Sequence, residues 1–250
     1  MKTTREHGKW QVVAFCLIVL SGCQDNQQRD QSVKPIPKSG SIKSEQVKQE
    51  ERQEFERCLK AAESGDADAQ YNLGLMYAKG EGVKQDQKQA VELFRKAAEQ
   101  GNESAQYDLG FLYGKGIGVN QDHKKAVEWY QKAAEQGNAA AQVTVGVMYA
   151  YGKGVKQDHK KAVEWFRKAA EQGIAEAQYN LGVMYQKGEG VKQDHKKAVE
   201  WFHKAAEQGN TAAQYSLGVM YENGEGVKQD HTQAEVWLRK AAEQGNKQAK

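Results

Sequence analysis

Ala69-Gln70-Tyr71-Asn72-Leu73-Gly74 returns as Ala105-Gln106-Tyr107-Asp108-Leu109-Gly110 and as Ala141-Gln142-Val143-Thr144-Val145-Gly146, each 36 residues after the last. Ala177-Gln178-Tyr179-Asn180-Leu181-Gly182 and Ala213-Gln214-Tyr215-Ser216-Leu217-Gly218 continue the series to five copies. A fixed period of this length marks a repeat protein, whose units cannot bury their apolar faces alone and must stack on one another. The five units fill Ala67 to Asn246.

Each unit reads as two helices. In the first, Ala69, Leu73, Met76 and Tyr77 fall on one face. Gly80 and Gly82 stop it, and Val83 plugs the turn. Asp86 then suits the N-cap of the second helix, a role passed on to Asp122, Asp158, Asp194 and Asp230. Ala90, Leu93, Phe94, Ala97 and Ala98 make its buried stripe. Gly101 ends the unit and Asn102 caps the next. Glu92–Lys96, Glu128–Lys132, Glu164–Lys168 and Glu200–Lys204 stand at i,i+4. Such pairs contribute a few tenths of a kcal/mol each and keep an outer face soluble.

The array's ends differ from its middle. Residues 49–64 align with a second helix alone, Lys60-Ala61-Ala62-Glu63 matching Lys96-Ala97-Ala98-Glu99. Cys58 therefore takes the place of Phe94 and is expected in the core. Glu235 stands where Val199 stood, as suits a last helix facing water.

Before the repeats, Lys2, Arg5 and Lys9 precede an apolar run from Val12 to Leu20, then Ser21-Gly22-Cys23. This is the secretory signal pattern, and nine residues at a 1.5 Å rise span only about 14 Å, too short for a membrane anchor. Leu20-Ser21-Gly22-Cys23 resembles the bacterial lipobox, which implies a signal peptide over 1–22 and lipidation of Cys23. Gln24, rather than Asp, follows that cysteine; by the same resemblance, a bacterial envelope lipoprotein on the periplasmic face of the outer membrane is favoured. Residues 23–48 lack aromatics, hold both prolines (Pro35 and Pro37) and read as a flexible tether to a solenoid over 49–250. Cys16 leaves with the signal and Cys23 is acylated, so Cys58 has no partner for an intramolecular disulfide.

Composition excludes other classes. Of 250 residues, 39% are hydrophobic and 28% charged, and mean hydropathy is −0.87, which rules out a polytopic membrane protein. Of the formal charge of +3, Lys2, Arg5 and Lys9 against Glu6 supply +2, so bulk charge does not attract nucleic acid. His123, His159, His195 and His231 recur with the unit, yet adjacent helix axes are about 8–10 Å apart and zinc ligands sit about 2 Å from the metal. They are expected to share no ion. Gly114-Lys115-Gly116-Ile117-Gly118 and Gly188-Glu189-Gly190 lack the preceding strand and the G-K-[ST] ending of a phosphate loop. The carboxylates are periodic, one per helix, which argues against a catalytic pair. No metal, cofactor, nucleic acid or small-molecule substrate is expected.

The pattern A-x-A-Q-Y-x-L-G-x-M-Y-x-x-G-x-G-V-x-Q-D, followed by A-x-x-W-x-x-K-A-A-E-Q-G, resembles the Sel-one-like repeat, the longer cousin of the tetratricopeptide repeat. The resemblance implies an all-α, right-handed α-solenoid of five helix pairs with an N-terminal capping helix. It also implies an adaptor that holds proteins or peptides on the concave face lined by the first helices. Carried over residue by residue, that face takes Tyr71, Leu75 and Lys79, then Tyr107, Phe111 and Lys115, then Val143, Val147 and Tyr151. Tyr179, Val183 and Lys187, and Tyr215, Val219 and Asn223, complete it. The aromatic and lysine members are the candidate partner-binding residues, suited to an extended acidic segment. The recurring tyrosines either bind or pack between units. Phe111 and Tyr151 are the sharper candidates, because packing does not demand a ring in their columns. Cysteine-rich relatives of the repeat have been assigned β-lactam binding or hydrolysis, but their pattern has a disulfide in each unit and this chain has none. The expectation is therefore a non-enzymatic adaptor, with such an enzyme or a passive spacer as the alternatives.

Overall fold

The aspartate that opens each second helix sets the rhythm of the fold. A computed structural model describes residues 39–248, and side chains over 49–245. Cys23, the signal and the first part of the tether lie outside the described residues. The chain divides into two units, Met1–Ile42 and Lys43–Lys250, and all five repeats lie in the second.

Among the described residues there are eleven α-helices and no strand. α1 (Ser39–Glu63) precedes five pairs: α2 (Ala67–Lys79) with α3 (Gln87–Glu99), α4 (Glu103–Lys115) with α5 (His123–Glu135), and α6 (Ala139–Tyr151) with α7 (His159–Glu171). α8 (Ala175–Lys187) with α9 (His195–Glu207), and α10 (Thr211–Asn223) with α11 (His231–Gln248), complete the array. The α-solenoid of five units and a leading helix is thus borne out. α1 starts at Ser39, ten residues ahead of the expected solenoid boundary at Gln49. Pro37 stands just upstream, and Ser39 to Lys48 contains no proline and a single glycine, Gly40, in the first turn of a helix already anchored downstream.

Caps form where the sequence places them. Asp86 accepts from the backbone N–H of Lys88 and Gln89 at 2.9 and 3.1 Å, and Asp122 does the same for Lys124 and Lys125. Asn102 accepts from Ala105 N at 2.8 Å. At Ile174, the equivalent position, no side chain caps α8. Gly80 ends α2 in the left-handed region (φ 79°), its N–H bonded to Met76 O.

Each first helix packs most extensively on the second helix of its own unit, and each second helix then meets the next first helix. Leu109, Leu181, Leu217, Phe202 and the alanines of α3, α5, α7 and α9 are buried. One expectation needs correcting. In the first unit the buried stripe is Ala90, Val91, Phe94, Ala97 and Ala98, whereas Leu93 is only half-buried. The second helix is buried on two sides, by its own first helix and by the next one, so its apolar arc extends to Val91. Cys58 is buried beside Ala62, Leu73 and Met76 as expected, and burial pushes its thiol above the usual range.

Two glycines per unit set the spacing. On the helix face, a Cβ added to Gly146 would lie 2.6 Å from the Phe166 ring, so the bare backbone is what lets that ring seat. In the turn, a Cβ on Gly118 (φ 69°) would lie 2.5 Å from the Gln87 carbonyl oxygen of the preceding unit. The same glycine meets His123 at Gly154, His159 at Gly190 and His195 at Gly226. That contact docks one unit on the next.

Candidate interaction surfaces

The tyrosines of the first helices divide into those that pack and those that project. Tyr71 lies 5.6 Å from the Phe94 ring and donates from its hydroxyl to Asp108 Oδ2 of the next unit at 3.0 Å. Burial, then the Asp108 charge, pushes its phenol up to about 12. Tyr107 stacks edge-on against Tyr130 at 5.3 Å, and Tyr179 packs tilted against Phe202 at 5.7 Å. Burial also raises the Tyr179 phenol, against a hydrogen bond with Ser216 that lowers it. These three candidates therefore cement the array. Tyr215, in the last unit, is 61% exposed, and Tyr151 is 67% exposed.

The remaining candidates line the same helices. Phe111 is half-buried with the Lys115 ammonium 6.0 Å from its ring centroid. Lys79 pairs with Glu81 at 3.6 Å, and Lys187 is exposed. In the third unit Val143 replaces the packing tyrosine and is buried. Directly across the joint, the buried Nδ2 of Asn180, which occupies the position of Asp108, has no hydrogen-bond partner. A tyrosine in the ladder satisfies that position elsewhere; valine does not.

Two features were not legible in advance. The first is the buried glutamine of each A-x-A-Q motif. Gln106 donates to Ala98 O at 3.0 Å and accepts from Gln136 Nε2 at 2.7 Å. Gln136 reaches on to Gly101 O at 2.9 Å, so one amide pair ties the start of α4 to the turn before it and to the end of α5. Gln70, Gln142 and Gln178 repeat the amide pair. Gln172 repeats the reach to a glycine carbonyl, whereas Gln100 and Gln208 turn back to Lys96 O and Lys204 O of their own helices. In the last unit Gln244 bonds Thr211 instead, and Gln214 Oε1 is left without a partner. The signal was in view, a polar residue on an otherwise apolar face, paired at constant separation with the glutamine of E-Q-G.

The second is a correction. The expected Glu128–Lys132 pair and its equivalents do not form. Lys132 lies over the Trp129 ring at 3.9 Å, Lys168 over Trp165 at 4.2 Å and Lys204 over Trp201 at 4.1 Å. The ring one turn back offers both a negative face and an apolar surface for the lysine stem. Where the first unit has Leu93 instead, Glu92 pairs with Arg95 at 2.9 Å.

The turns within units carry a row of shallow recesses of about 640–700 Å³, each floored by a tyrosine (Tyr113, Tyr149 or Tyr185) with a lysine ammonium 5.1–5.4 Å from its ring. The histidines stand at these turns, and His159 Nδ1 lies 4.0 Å from Glu189. Among the described residues no three of His, Cys, Asp and Glu converge as a metal site would require. No described helix is long and apolar enough to cross a membrane.

Comparison with known proteins matches this geometry. The Sel1 repeat family model matches residues 67–102, 103–138, 139–174, 175–210 and 211–246, the five units read above. A Sel1 repeat protein from Oxalobacter formigenes superposes with a TM-score of 0.74 at 35% identity, over 82% of this chain and 84% of that one. The protective antigen c5321 of uropathogenic Escherichia coli, which displays an SLR fold, superposes with a TM-score of 0.74 at 46% identity. That match covers 76% of this chain but 41% of the antigen, so the chain spans about two fifths of its length. No curated protein matches the chain.

Proposed function

We propose a function from one premise: this chain belongs to the Sel1 repeat family. Proteins built of these repeats generally act as scaffolds for protein–protein interaction, and their solenoids are typically non-enzymatic. The specific reading is a lipid-anchored scaffold of the bacterial envelope that receives protein or peptide partners on its first-helix, concave face. The observation that carries it is the exposure of Tyr151 and Tyr215, the two large apolar side chains of the described residues that project into solvent while the other ladder tyrosines pack. An exposed ring on a rigid helix, with Lys115 and Lys187 at the position of Tyr151 in the two adjoining units, suits an extended segment with acidic groups. Cys23 would hold the scaffold to the membrane through lipid, with the outer membrane favoured by Gln24.

Two experiments separate the parts of this reading. Crosslinking of the full-length protein in envelopes is compared with a Tyr151→Ala/Tyr215→Ala variant. A partner captured by the first and lost from an equally stable variant supports the groove, and an identical capture pattern sinks it. Replacing Cys23 with Ser is expected to release the protein from the membrane fraction; unchanged fractionation removes the anchor. β-Lactam turnover by purified protein above a no-protein control would favour the enzymatic alternative.

A further inference from the structure

The two edges of the solenoid carry opposite charge. At the turns within units, segments 114–125, 150–161 and 186–197 contain eleven lysines against four acids. Three of those acids, Asp122, Asp158 and Asp194, are engaged as helix caps. All eleven lysines are exposed. At the turns between units, segments 97–104, 133–140, 169–176 and 205–212 contain six glutamates and no lysine or arginine. Glu99, Glu135, Glu171 and Glu207, one per unit at the same position, are exposed. The nearest lysines, Lys132, Lys168 and Lys204, are drawn onto tryptophan rings rather than onto these carboxylates.

This placement runs against the helices' own preference. α5, α7 and α9 begin with a histidine and two lysines, have no acidic residue in the first turn, and end on a glutamate. Partial positive charge at a helix N-terminus and negative at its C-terminus disfavours both. The N-cap aspartates and the last-turn lysines offset this only in part. The edges cannot neutralise each other within one molecule, because 13-residue helices hold them about 20 Å apart, beyond a Debye length at physiological salt.

We propose that the basic edge of one copy docks on the acidic edge of a second copy, in a head-to-tail contact. The complementarity extends to spacing: one repeat step generates both rows, so lysines and glutamates recur at the same interval and stay in register over three units. An acidic polymer or an anionic surface would match the lysine row alone. The row also has an end, because the last turn, 222–233, holds a single lysine against three acids. A contact of this type uses two different patches, so copies add laterally, into a filament or, where the rotation closes, a ring. Individually weak exposed pairs sum over the matched rows, and salt screens them.

The test uses the full chain in nonionic detergent, by sedimentation, at roughly 0.01 M and roughly 1 M salt, where the Debye length is about 30 Å and 3 Å. The weight-average mass is expected to rise at least about twofold above the monomer at low salt and to return to it at high salt. Two variants decide the geometry: Lys156→Glu/Lys160→Glu/Lys192→Glu/Lys196→Glu on one edge, and Glu99→Lys/Glu135→Lys/Glu171→Lys/Glu207→Lys on the other. Each places charge where the helix dipole favours it and is expected to melt no lower than the parent. Each alone is expected to stay monomeric, and an equal mixture to form a one-to-one pair, since each retains the edge the other lacks. A parent chain that stays monomeric at low salt overturns the proposal, as do variants that still associate alone or a mixture that does not pair.

Discussion

At the scale of single residues, Asp108 is a carboxylate in a place its counterparts leave neutral. Asn72, Thr144, Asn180 and Ser216 occupy the same position in the other units. Burial raises the Asp108 carboxyl above its usual value, and the hydrogen bond from Tyr71 pulls it only part of the way back. With the folded pKa above the unfolded one, the native state holds more protons across the window between them. Stability is therefore lost as pH rises through the folded pKa of Asp108. Asp108→Asn keeps an acceptor for the Tyr71 hydroxyl and removes the buried charge. The variant is expected to be more stable at neutral pH, by on the order of 1 kcal/mol. That advantage should shrink as pH falls through the folded pKa and vanish below the unfolded one. Thermal melts of both proteins across the acidic range check it, and an advantage independent of pH would show that charge is not the cause. Tyr71 has the same sign at the alkaline end, where stability is lost as pH climbs from 10 toward about 12.

At the scale of elements, the paired glutamines join a first helix to the turn before it and to the end of its partner helix, and the array contains its own control. Gln106→Leu removes the buried bond to Ala98 O and one of the two acceptors of the exposed Gln136 amide, a loss of about 0.5–1.5 kcal/mol. Gln214 bonds Ala206 O at 3.2 Å but has no partner at Oε1. Gln214→Leu is therefore expected to cost clearly less, and chemical denaturation of the two variants ranks them. Equal losses would mean that the amide pairing does not matter and only the fit of the side chain does. This contrast also marks how far the sequence could be read. Asp86, Asn102 and Gly80 declared themselves because a cap or a stop depends on a few neighbouring residues. The core columns declared themselves because 3.6-residue periodicity is local. Lys132 has both Trp129 and Glu128 within reach on its own helix and periodicity does not choose between them, whereas Gln106 with Gln136 and Tyr71 with Asp108 depend on where one element lands relative to another. For that reason the surface tyrosines stayed divided between packing and binding until their neighbours were placed. Tyr151, chosen because no packing column called for a ring there, is the one whose exposure agrees with the choice.

At the scale of the whole molecule, every joint is built from the same parts. The turn glycine of one unit meets the first residue of the second helix of the unit before: Gly118 on Gln87, Gly154 on His123, Gly190 on His159. Stability in such an array is close to a sum of unit terms and nearest-neighbour terms. Removing residues 139–174, the third unit, joins Asn138 to Ala175 and sets Gly190 opposite His123 in place of His159. The new joint repeats the old geometry. It also brings Tyr107, rather than Val143, across from Asn180, whose buried amide gains the ladder tyrosine it lacks. The shortened chain is expected to fold with unchanged helix content per residue and a smaller denaturant m-value, in proportion to the surface lost. Its stability should fall by one unit and one joint, less the gain at Asn180. Circular dichroism and guanidinium unfolding test this directly. If the shortened chain is unfolded or molten, the joints are not interchangeable, and the third unit, with its valine and its exposed tyrosine, holds the two halves of the array together in a way its neighbours cannot.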